Sequence, residues 1–172
     1  MVALLPVSAL QPDEGDGLDD VLQLTVAGIV GLDPSLVRPR WQTVPASEPM
    51  KAVNWCAIGA QNLIQDAGPY FGQDGDQTAM QRHLLIEAMA SFYGPAARTN
   101  AGLLRDGLSV EANRYILRSV GIGIHSLDST IRMPELIGLE WRDRVDFSFS
   151  LTRQIDRIYP VKRILIAVLK FN

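Results

Sequence analysis

The side chains of this sequence that could carry chemistry are two histidines, one cysteine and several carboxylates. His83 and Glu87 lie on the same face of one predicted strand, where an imidazole and a carboxylate in a pocket could exchange protons near neutral pH. His83 and His125 are not spaced as metal ligands, and the sequence has no G-x-S-x-G nucleophile motif and no G-x-x-x-x-G-K-[ST] phosphate loop. A small enzyme or ligand-binding regulator with a site around His83 and Glu87 is therefore one hypothesis. No catalytic, cofactor or metal residue is predicted beyond it.

Cys56 and an acidic cluster have structural interpretations. Cys56 stands in an apolar run with no histidine near it in sequence, which predicts a buried, inert thiol. As the single cysteine it excludes an intramolecular disulfide, which favours a reducing compartment. The carboxylates between residues 13 and 20 lack the ligand ladder of a calcium loop, so we interpret them as a solvated, helix-capping leader.

Charged and aromatic residues at unusual positions are the stronger signal. Arginine, tryptophan and tyrosine are enriched in protein–protein interfaces, and arginine forms paired contacts with carboxylates. We therefore predict an interface built from three clusters and one acidic turn: Arg38, Arg40 and Trp41; Arg105 and Asp106; Arg142, Arg144 and Asp146; Asp74 and Asp76. Alternation along the last strand predicts that Arg142 and Arg144 lie together on its solvent-facing side.

The composition is that of a globular protein without a surface for binding nucleic acid. Apolar residues make up 47% and charged residues 20% of the 172 residues, and the net charge is −3. The charges are intermixed, so no basic stripe for DNA is present. The longest apolar run, Ile164 to Leu169, is far shorter than the roughly 20 residues of a membrane helix. We expect a soluble protein without a membrane partner.

The first half of the chain predicts one helix and three extended segments. The helix begins at Asp16 and ends at Gly31. Residues 36–41 form a short edge segment around Pro39, and Val53 to Ile64 form a strand. Asp66 to Thr78 form a projecting loop, since the segment is rich in turn residues. Gln81 to Tyr93 alternate as a strand does, although their leucine, alanine and glutamate content makes a helix the competing interpretation.

The second half predicts a broken helix and a hairpin. The helix spans residues 96–120, breaks near Gly107 and buries a stripe of Ala112, Tyr115, Ile116 and Val120. A short strand and a turn follow at Ile122 to Ile131, and Pro134 opens a short helix to Trp141. Strands at Val145 to Thr152 and Lys162 to Phe171 form an antiparallel hairpin, with Phe147 and Phe149 facing the core.

These elements predict the fold class α+β, with a mostly antiparallel β-sheet packed against two main α-helices. We expect a single domain over residues 1–172, with residues 1–15 as a flexible leader.

Several short segments resemble the neck or tail-terminator proteins of long-tailed bacteriophages. The resemblance covers residues 37–160, and its order and total length make it more specific than any one piece. The segments are Val37-Arg38-Pro39-Arg40-Trp41, Asn54-Trp55-Cys56-Ala57-Ile58-Gly59, Ser91-Phe92-Tyr93-Gly94-Pro95, Leu104-Arg105-Asp106-Gly107-Leu108, Asn113-Arg114, Pro134-Glu135-Leu136 and Trp141-Arg142-Asp143-Arg144-Val145-Asp146.

The resemblance implies a structural virion protein without catalytic residues or cofactors. Such proteins form a ring, commonly a hexamer, that caps the tail tube and joins it to the head-side connector. The implied partners are copies of the chain itself, tube and sheath proteins, and the connector protein. The implied location is the tail or neck of a virion assembled in the host cytoplasm. Copies that are each net negative would let DNA pass through the lumen without specific binding.

Two further hypotheses stay open on the sequence alone. One is a different ring or baseplate component of the same tail, since small ring proteins occur there too. The other is the small enzyme or regulator with a site around His83 and Glu87.

Overall fold

Two long antiparallel strands, β5 (Gln77–Tyr93) and β9 (Arg144–Pro160), form the centre of the computed structural model, which describes residues 8–9, 16–42, 47–65 and 68–160. They pair along their whole length, from Gln77 opposite Pro160 to Tyr93 opposite Arg144. The predicted strand Lys162 to Phe171 lies outside the described residues, as does the predicted leader apart from Ser8 and Ala9.

Alternation along β5 and β9 decides which face of the sheet is buried. The core face takes the even positions of β5 from Leu84 to Phe92 and odd positions of β9 such as Phe147 and Phe149. The predicted strand at Gln81–Tyr93 is confirmed, and so is the inward orientation of the two phenylalanines. Their rings stack on each other with centroids 5.4 Å apart.

The remaining strands of the main sheet flank this pair. β3 (Trp55–Gln65) and β4 (Tyr70–Asp74) follow each other along one side of β5, and β2 (Val37–Pro39) lies parallel to β3 at the edge. β6 (Ile122–Arg132) and β1 (Ser8–Ala9) pair with the other side of β9. The α+β class with a mostly antiparallel sheet is confirmed.

Three helices supply the layer that covers the core face. α1 (Asp16–Val30), α2 (Ala97–Gly107) and α3 (Glu111–Ser119) contribute Leu22, Leu104 and Leu117, among others, to the core. The predicted break near Gly107 separates α2 from α3. No helix in the part of the chain that the structure describes is long and apolar enough to cross a membrane.

The buried stripe predicted on the second half of the broken helix is wrong. Its members, Ala112, Tyr115, Ile116 and Val120, are all exposed, and Leu117 is the buried residue of α3. The helix follows α2 through the turn at residues 108–110 and contacts β6, with Leu117 as its buried residue, which leaves the predicted stripe in water. Periodicity predicted an apolar face correctly, but it carries no information on whether the face is covered.

Most of the predicted loop at residues 66–78 is a β-hairpin. β4 turns into β5 through Gly75 and Asp76, with Asp74 paired to Gln77. Gly75 has φ of +59°, which suits the first position of a two-residue hairpin turn of type II′. Residues 66–67 lie outside the described residues.

The short helix predicted from Pro134 to Trp141 is also a hairpin. β7 (Glu135–Ile137) pairs with β8 (Glu140–Arg142), and Gly138 and Leu139 form the turn. Gly138 has φ of +63°, so this turn has the same glycine requirement as the first. Pro134 favours a helix start, but three paired residues on each side of the turn outweigh that local preference.

Candidate functional site

A row of large side chains crosses the sheet at the end where β5 stops and β9 begins. Trp55 on β3 lies opposite Tyr93 on β5, and Tyr93 lies opposite Arg144 on β9. Two residues further along the strands, Ala57 on β3 lies opposite Ser91 on β5, and Ser91 lies opposite Asp146 on β9. Ser91 and Tyr93 occupy odd positions of β5, so they lie on the face opposite the helices.

Two stacked rings lie at the centre of this site. The indole of Trp55 and the phenol of Tyr93 have centroids 4.2 Å apart and planes inclined by 10°. The guanidinium carbon of Arg142 lies 4.8 Å from the Tyr93 ring centre, and that of Arg144 lies 5.7 Å from it. Arg38 contacts the other ring, 5.8 Å from the centre of Trp55. Cations over aromatic faces at these distances are attracted by the ring quadrupole.

Carboxylates neutralise the two central arginines. Arg142 donates from Nη1 to Glu48 Oε2 at 2.8 Å and from Nη2 to Glu135 Oε2 at 3.1 Å. Arg144 donates from Nε to Asp146 Oδ1 at 2.8 Å and from Nη2 to Oδ2 at 2.9 Å, a bidentate pair. It also pairs with Glu135. We call the set of Arg38, Arg40, Glu48, Trp55, Ser91, Tyr93, Glu135, Arg142, Arg144 and Asp146 the arginine–aromatic cluster.

The solvent-facing position predicted for Arg142 and Arg144 is therefore wrong. Arg142 is only 6% exposed, and it belongs to β8 instead of the strand that contains Arg144. Alternation along one strand was the basis of the prediction, but Asp143 separates the two strands, and the hairpin folds over the aromatic pair. Reversal of both charges would place new carboxylates against Glu48, Glu135 and Asp146, so we now expect that change to damage the fold itself.

Burial and ion pairing shift the pKa values of these groups in opposite directions. Burial lowers the pKa of Arg144, but its hydrogen bonds with Asp146 and Glu135 more than offset this, so the pKa is raised overall. Burial also raises the pKa of Tyr93, with the nearby Arg144 opposing the shift. The arginines are therefore charged and the tyrosine neutral at all physiological pH values, which makes the cluster a permanent structural connection.

Two of the predicted interface clusters meet at this site. Arg40, just after β2, donates from Nη1 to Ser91 Oγ at 2.8 Å, and Arg144 approaches the same oxygen. Trp41 next to it remains exposed at the sheet edge, where its Nε1 donates to the carbonyl of Ala60 at 3.2 Å. Sequence spacing did not identify Ser91, Trp55, Tyr93, Glu48 or Glu135 as members. In the sequence, these residues were marked only by their position in or near the segments that carry the family resemblance.

The other predicted interface residues lie elsewhere. Arg105 and Asp106 are exposed at the end of α2, which packs on the opposite face of the sheet. Asp74 and Asp76 are exposed at the β4–β5 turn, at the far end of β5 from the cluster. The structure does not bring these residues together with the arginine–aromatic cluster.

His83 and Glu87 share the open face of β5 but do not form a pair. Four residues along a strand span about 13 Å, beyond hydrogen-bond reach. Glu87 instead accepts a bond from Asn62 Nδ2 at 3.4 Å. Two cavities of about 270 and 300 Å³ lie beside the β7–β8 hairpin and beside α1, and neither is lined by these residues. Among the described residues, no group of three or more His, Cys, Asp or Glu side chains is placed to hold a metal ion.

Apolar side chains cover the outside of the hairpin that the cluster holds in place. Leu139 at the tip is 99% exposed and Trp141 is 62% exposed. An exposed apolar patch of this kind marks a protein interaction site, and tryptophan is a frequent energetic centre of such sites. We define the hairpin surface as Ile131, Met133, Leu136, Leu139 and Trp141, all of which are exposed. Ile137 lies on the other face of the hairpin, where it lines a cavity with Glu140 and Arg142.

The hairpin is anchored from several directions. Glu135 on β7 pairs with both Arg142 and Arg144, and Arg142 pairs in turn with Glu48. Lys51 Nζ lies 2.8 Å from Glu140 Oε2 on β8, and this hydrogen bond lowers the pKa of the Glu140 carboxyl. A short two-stranded hairpin is only marginally stable by itself, so these contacts are what present its apolar side chains in a defined position.

Comparison with known proteins agrees with a structural role. A family model described as phage neck terminator protein matches residues 16–172, almost the whole chain. A search of curated proteins finds no match. The match includes every member of the arginine–aromatic cluster and the whole hairpin surface. The chain belongs to the phage neck terminator protein family.

Proposed function

We propose that this protein is a tail-terminator subunit that assembles with copies of itself into a hexameric ring. In this proposal the ring caps the finished tail tube, contacts sheath proteins where they are present, and joins the tail to the head-side connector. It acts in the neck of a virion assembled in the host cytoplasm. The observation that carries the proposal is the family match over residues 16–172.

The surface of the subunit supports assembly as its activity. The hairpin surface exposes five large apolar side chains that an isolated subunit leaves in water. Burial of apolar area at about 25 cal/mol per Å² is the main driving force for association. The same chain is net negative at −3, so a ring of such subunits repels DNA phosphates on average and lets the genome slide through.

No observation favours the enzyme or regulator hypothesis. His83 and Glu87 are exposed on the open face of β5 and too far apart to act on one proton. We therefore propose a non-enzymatic protein whose function depends on its contacts with other protein subunits.

Electron microscopy of the purified protein, with and without purified tail tubes, tests this function. We expect rings of uniform size alone, and rings at one end of each tube after mixing. Native mass spectrometry then measures the number of copies, six in this proposal. A protein that stays monomeric at all concentrations and leaves tube ends bare would contradict the proposed function.

A different ring in the same tail is the second candidate, and the same images distinguish it. Labelled protein bound at the tube end that later receives the head supports the terminator assignment. Label at the opposite end, near the tail tip, would support a baseplate component instead.

A further inference from the structure

Two arginines on α2 are not used by the folded subunit. In the part of the chain that the structure describes, every other arginine has a hydrogen bond, an ion pair, a ring contact or another electrostatic interaction. Arg98 and Arg105 are exposed and have none of these with a described residue. They are seven residues, or about two turns, apart, so they lie on the same side of the helix.

The charge around these two arginines is positive. Asp106 is the next residue after Arg105, but it lies about 100° further round the helix. The helical segment at residues 97–119 has four arginines against two acidic residues. This side of α2 therefore attracts carboxylates.

A glycine lies between the two arginines on the same side of α2. Gly102 is four residues after Arg98 and three before Arg105, and a Cβ there would meet nothing within 4 Å. Glycine inside a helix is destabilising relative to alanine, and no described neighbour in its own subunit requires the small residue here. The missing side chain leaves a gap that the backbone of another molecule can approach closely. We call Arg98, Gly102 and Arg105 the α2 groove.

The turn between β4 and β5 carries the opposite charge. Asp74 and Asp76 lie on either side of Gly75, and all three residues are exposed. Neither carboxylate has an ion pair or accepts a hydrogen bond from another described residue. Residues 68–81 contain no arginine, lysine or histidine that would neutralise them. We call Asp74, Gly75 and Asp76 the acidic tip.

The acidic tip and the α2 groove lie too far apart to meet within one subunit. The tip is at the start of β5, whereas α2 begins four residues after β5 ends at Tyr93. A strand of 17 residues is about 55 Å long, and a helix of 11 residues covers at most about 16 Å of that length. A contact between the two features therefore requires two subunits.

We infer that the acidic tip of one subunit docks in the α2 groove of the next subunit. This inference rests on the proposed ring. A contact between two different surfaces of the same chain is heterologous, and repetition of it closes into a ring when the rotation per step is right.

The chemistry of the two features is complementary. Arginine and carboxylate form charge-assisted hydrogen bonds, which are stronger than neutral ones. The Cα atoms of Arg98 and Arg105 are about 10 Å apart along the helix, so each guanidinium can receive one carboxylate of the tip. Gly75 at the apex of the tip then faces Gly102, and neither residue has a side chain to keep the two backbones apart.

Charge exchange tests the contact. The variant Asp74→Arg, Asp76→Arg and the variant Arg98→Asp, Arg105→Asp should both fold, because all four side chains are exposed. Each should raise the protein concentration needed for rings by at least about 30-fold, as loss of interfacial charge pairs does. The quadruple variant should form rings again. An equal mixture of the two double variants should do the same, because the subunits can alternate around a ring with an even number of copies.

A glycine substitution tests the gap without any change of charge. Gly102→Leu should melt no lower than the unaltered protein, since the new side chain meets no neighbour in its own subunit, yet it should form no rings. Gly28→Leu is the matched control, at an exposed glycine of α1 where a Cβ also meets nothing within 4 Å. It should form normal rings. Sedimentation velocity and electron microscopy measure both results.

Lys162 and Arg163 are the competing partners for the acidic tip. They follow Pro160, which pairs with Gln77 next to the tip, and they lie outside the described residues. The variant Lys162→Glu, Arg163→Glu should leave rings intact. Loss of rings in this variant, together with normal rings from the Arg98→Asp, Arg105→Asp variant, would show that the tip does not use the α2 groove.

Two further results would overturn the inference. One is normal ring formation by Gly102→Leu or by the Arg98→Asp, Arg105→Asp variant. The other is failure of both the quadruple variant and the mixture to form rings. If the unaltered protein forms rings in the same experiment, the proposed function survives and only this contact is wrong. Absence of rings from the unaltered protein would contradict the proposed function itself.

Discussion

Arg40, just after β2, and Arg144, at the start of β9, approach the same oxygen atom. Nη1 of Arg40 lies 2.8 Å and Nη2 of Arg144 lies 3.5 Å from Oγ of Ser91. A hydroxyl oxygen has two lone pairs, so one buried serine can accept from both cations. The edge segment after β2 and the start of β9 are thereby joined through the C-terminal end of β5.

Removal of that shared acceptor should destabilise the protein. Ser91→Ala should lower the free energy of unfolding by about 1.5–3 kcal/mol, the usual contribution of a hydrogen bond to a charged group. Urea unfolding followed by circular dichroism measures the change. Ser109→Ala, at an exposed serine on the turn after α2, should change stability by no more than about 0.5 kcal/mol. Equal effects from the two variants would argue against a role for Ser91 in holding the arginines.

Arg142 and Arg132 offer a comparison between a buried and an exposed ion pair. Arg142→Ala removes two charge-assisted bonds and the contact with Tyr93, and should cost about 3 kcal/mol. Arg132→Ala breaks a solvent-exposed pair with Asp143 and should cost about 0–1 kcal/mol. Thermal and urea unfolding of both variants test this difference, and a cost for Arg132→Ala as large as that for Arg142→Ala would contradict it.

Phe147 and Phe71 provide a similar pair for the core. Phe147 is fully buried on β9, so Phe147→Ala should cost about 3–5 kcal/mol through lost burial and the cavity left behind. Phe71 is exposed on β4, and Phe71→Ala should change stability by about 0.5 kcal/mol or less. A fully stable Phe147→Ala protein in the same unfolding assay would mean that the inward face of β9 is assigned wrongly.

Gly102 and Gly107 lie in the same helix but should respond to alanine in opposite ways. A Cβ at Gly102 meets nothing within 4 Å, so Gly102→Ala should stabilise α2 by about 0.5–1 kcal/mol. A Cβ at Gly107 would come within 2.2 Å of Cγ2 of Ile29, a stiff β-branched side chain on α1. Gly107→Ala should therefore lower the melting temperature while Gly102→Ala raises it, and a rise in both would show that α1 and α2 can separate freely.

The thiol of Cys56 should react only when the protein opens. Burial raises the pKa of the Cys56 thiol above its ordinary value, so the reactive thiolate is disfavoured in the folded state. The buried, protonated thiol therefore contributes fully to the free energy of unfolding below about pH 8.5, and this contribution is lost as the pH rises above that value. Alkylation at pH 8 should be at least about 100-fold slower in buffer than in denaturant. Comparable rates would indicate an accessible cysteine.

The long strand β5 and the break between α2 and α3 were predictable from sequence because their signals are local, whereas the hairpins at residues 70–78 and 135–142 were not. Alternation at Gln81–Tyr93 outweighed the helix preference of its residues, since five successive apolar positions had to face one core. The break near Gly107 followed in the same way from the pattern around it. The family resemblance, carried by segments within residues 37–160, agrees with the match over residues 16–172.

Only the tertiary structure decided which surfaces are covered. The apolar side of α3 looked like a core face, and Arg142 looked solvated, yet the first is exposed and the second is buried. Local periodicity describes the face of an element, whereas its partner comes from residues far away in sequence. Arg142 is buried because Glu48 in the segment before β3, Trp55 on β3 and Tyr93 on β5 converge on it. On α3, Tyr115 and Ile116 stay exposed because no other part of the described chain covers them. Contacts between residues far apart in sequence decide this difference, and a short window of sequence does not contain them.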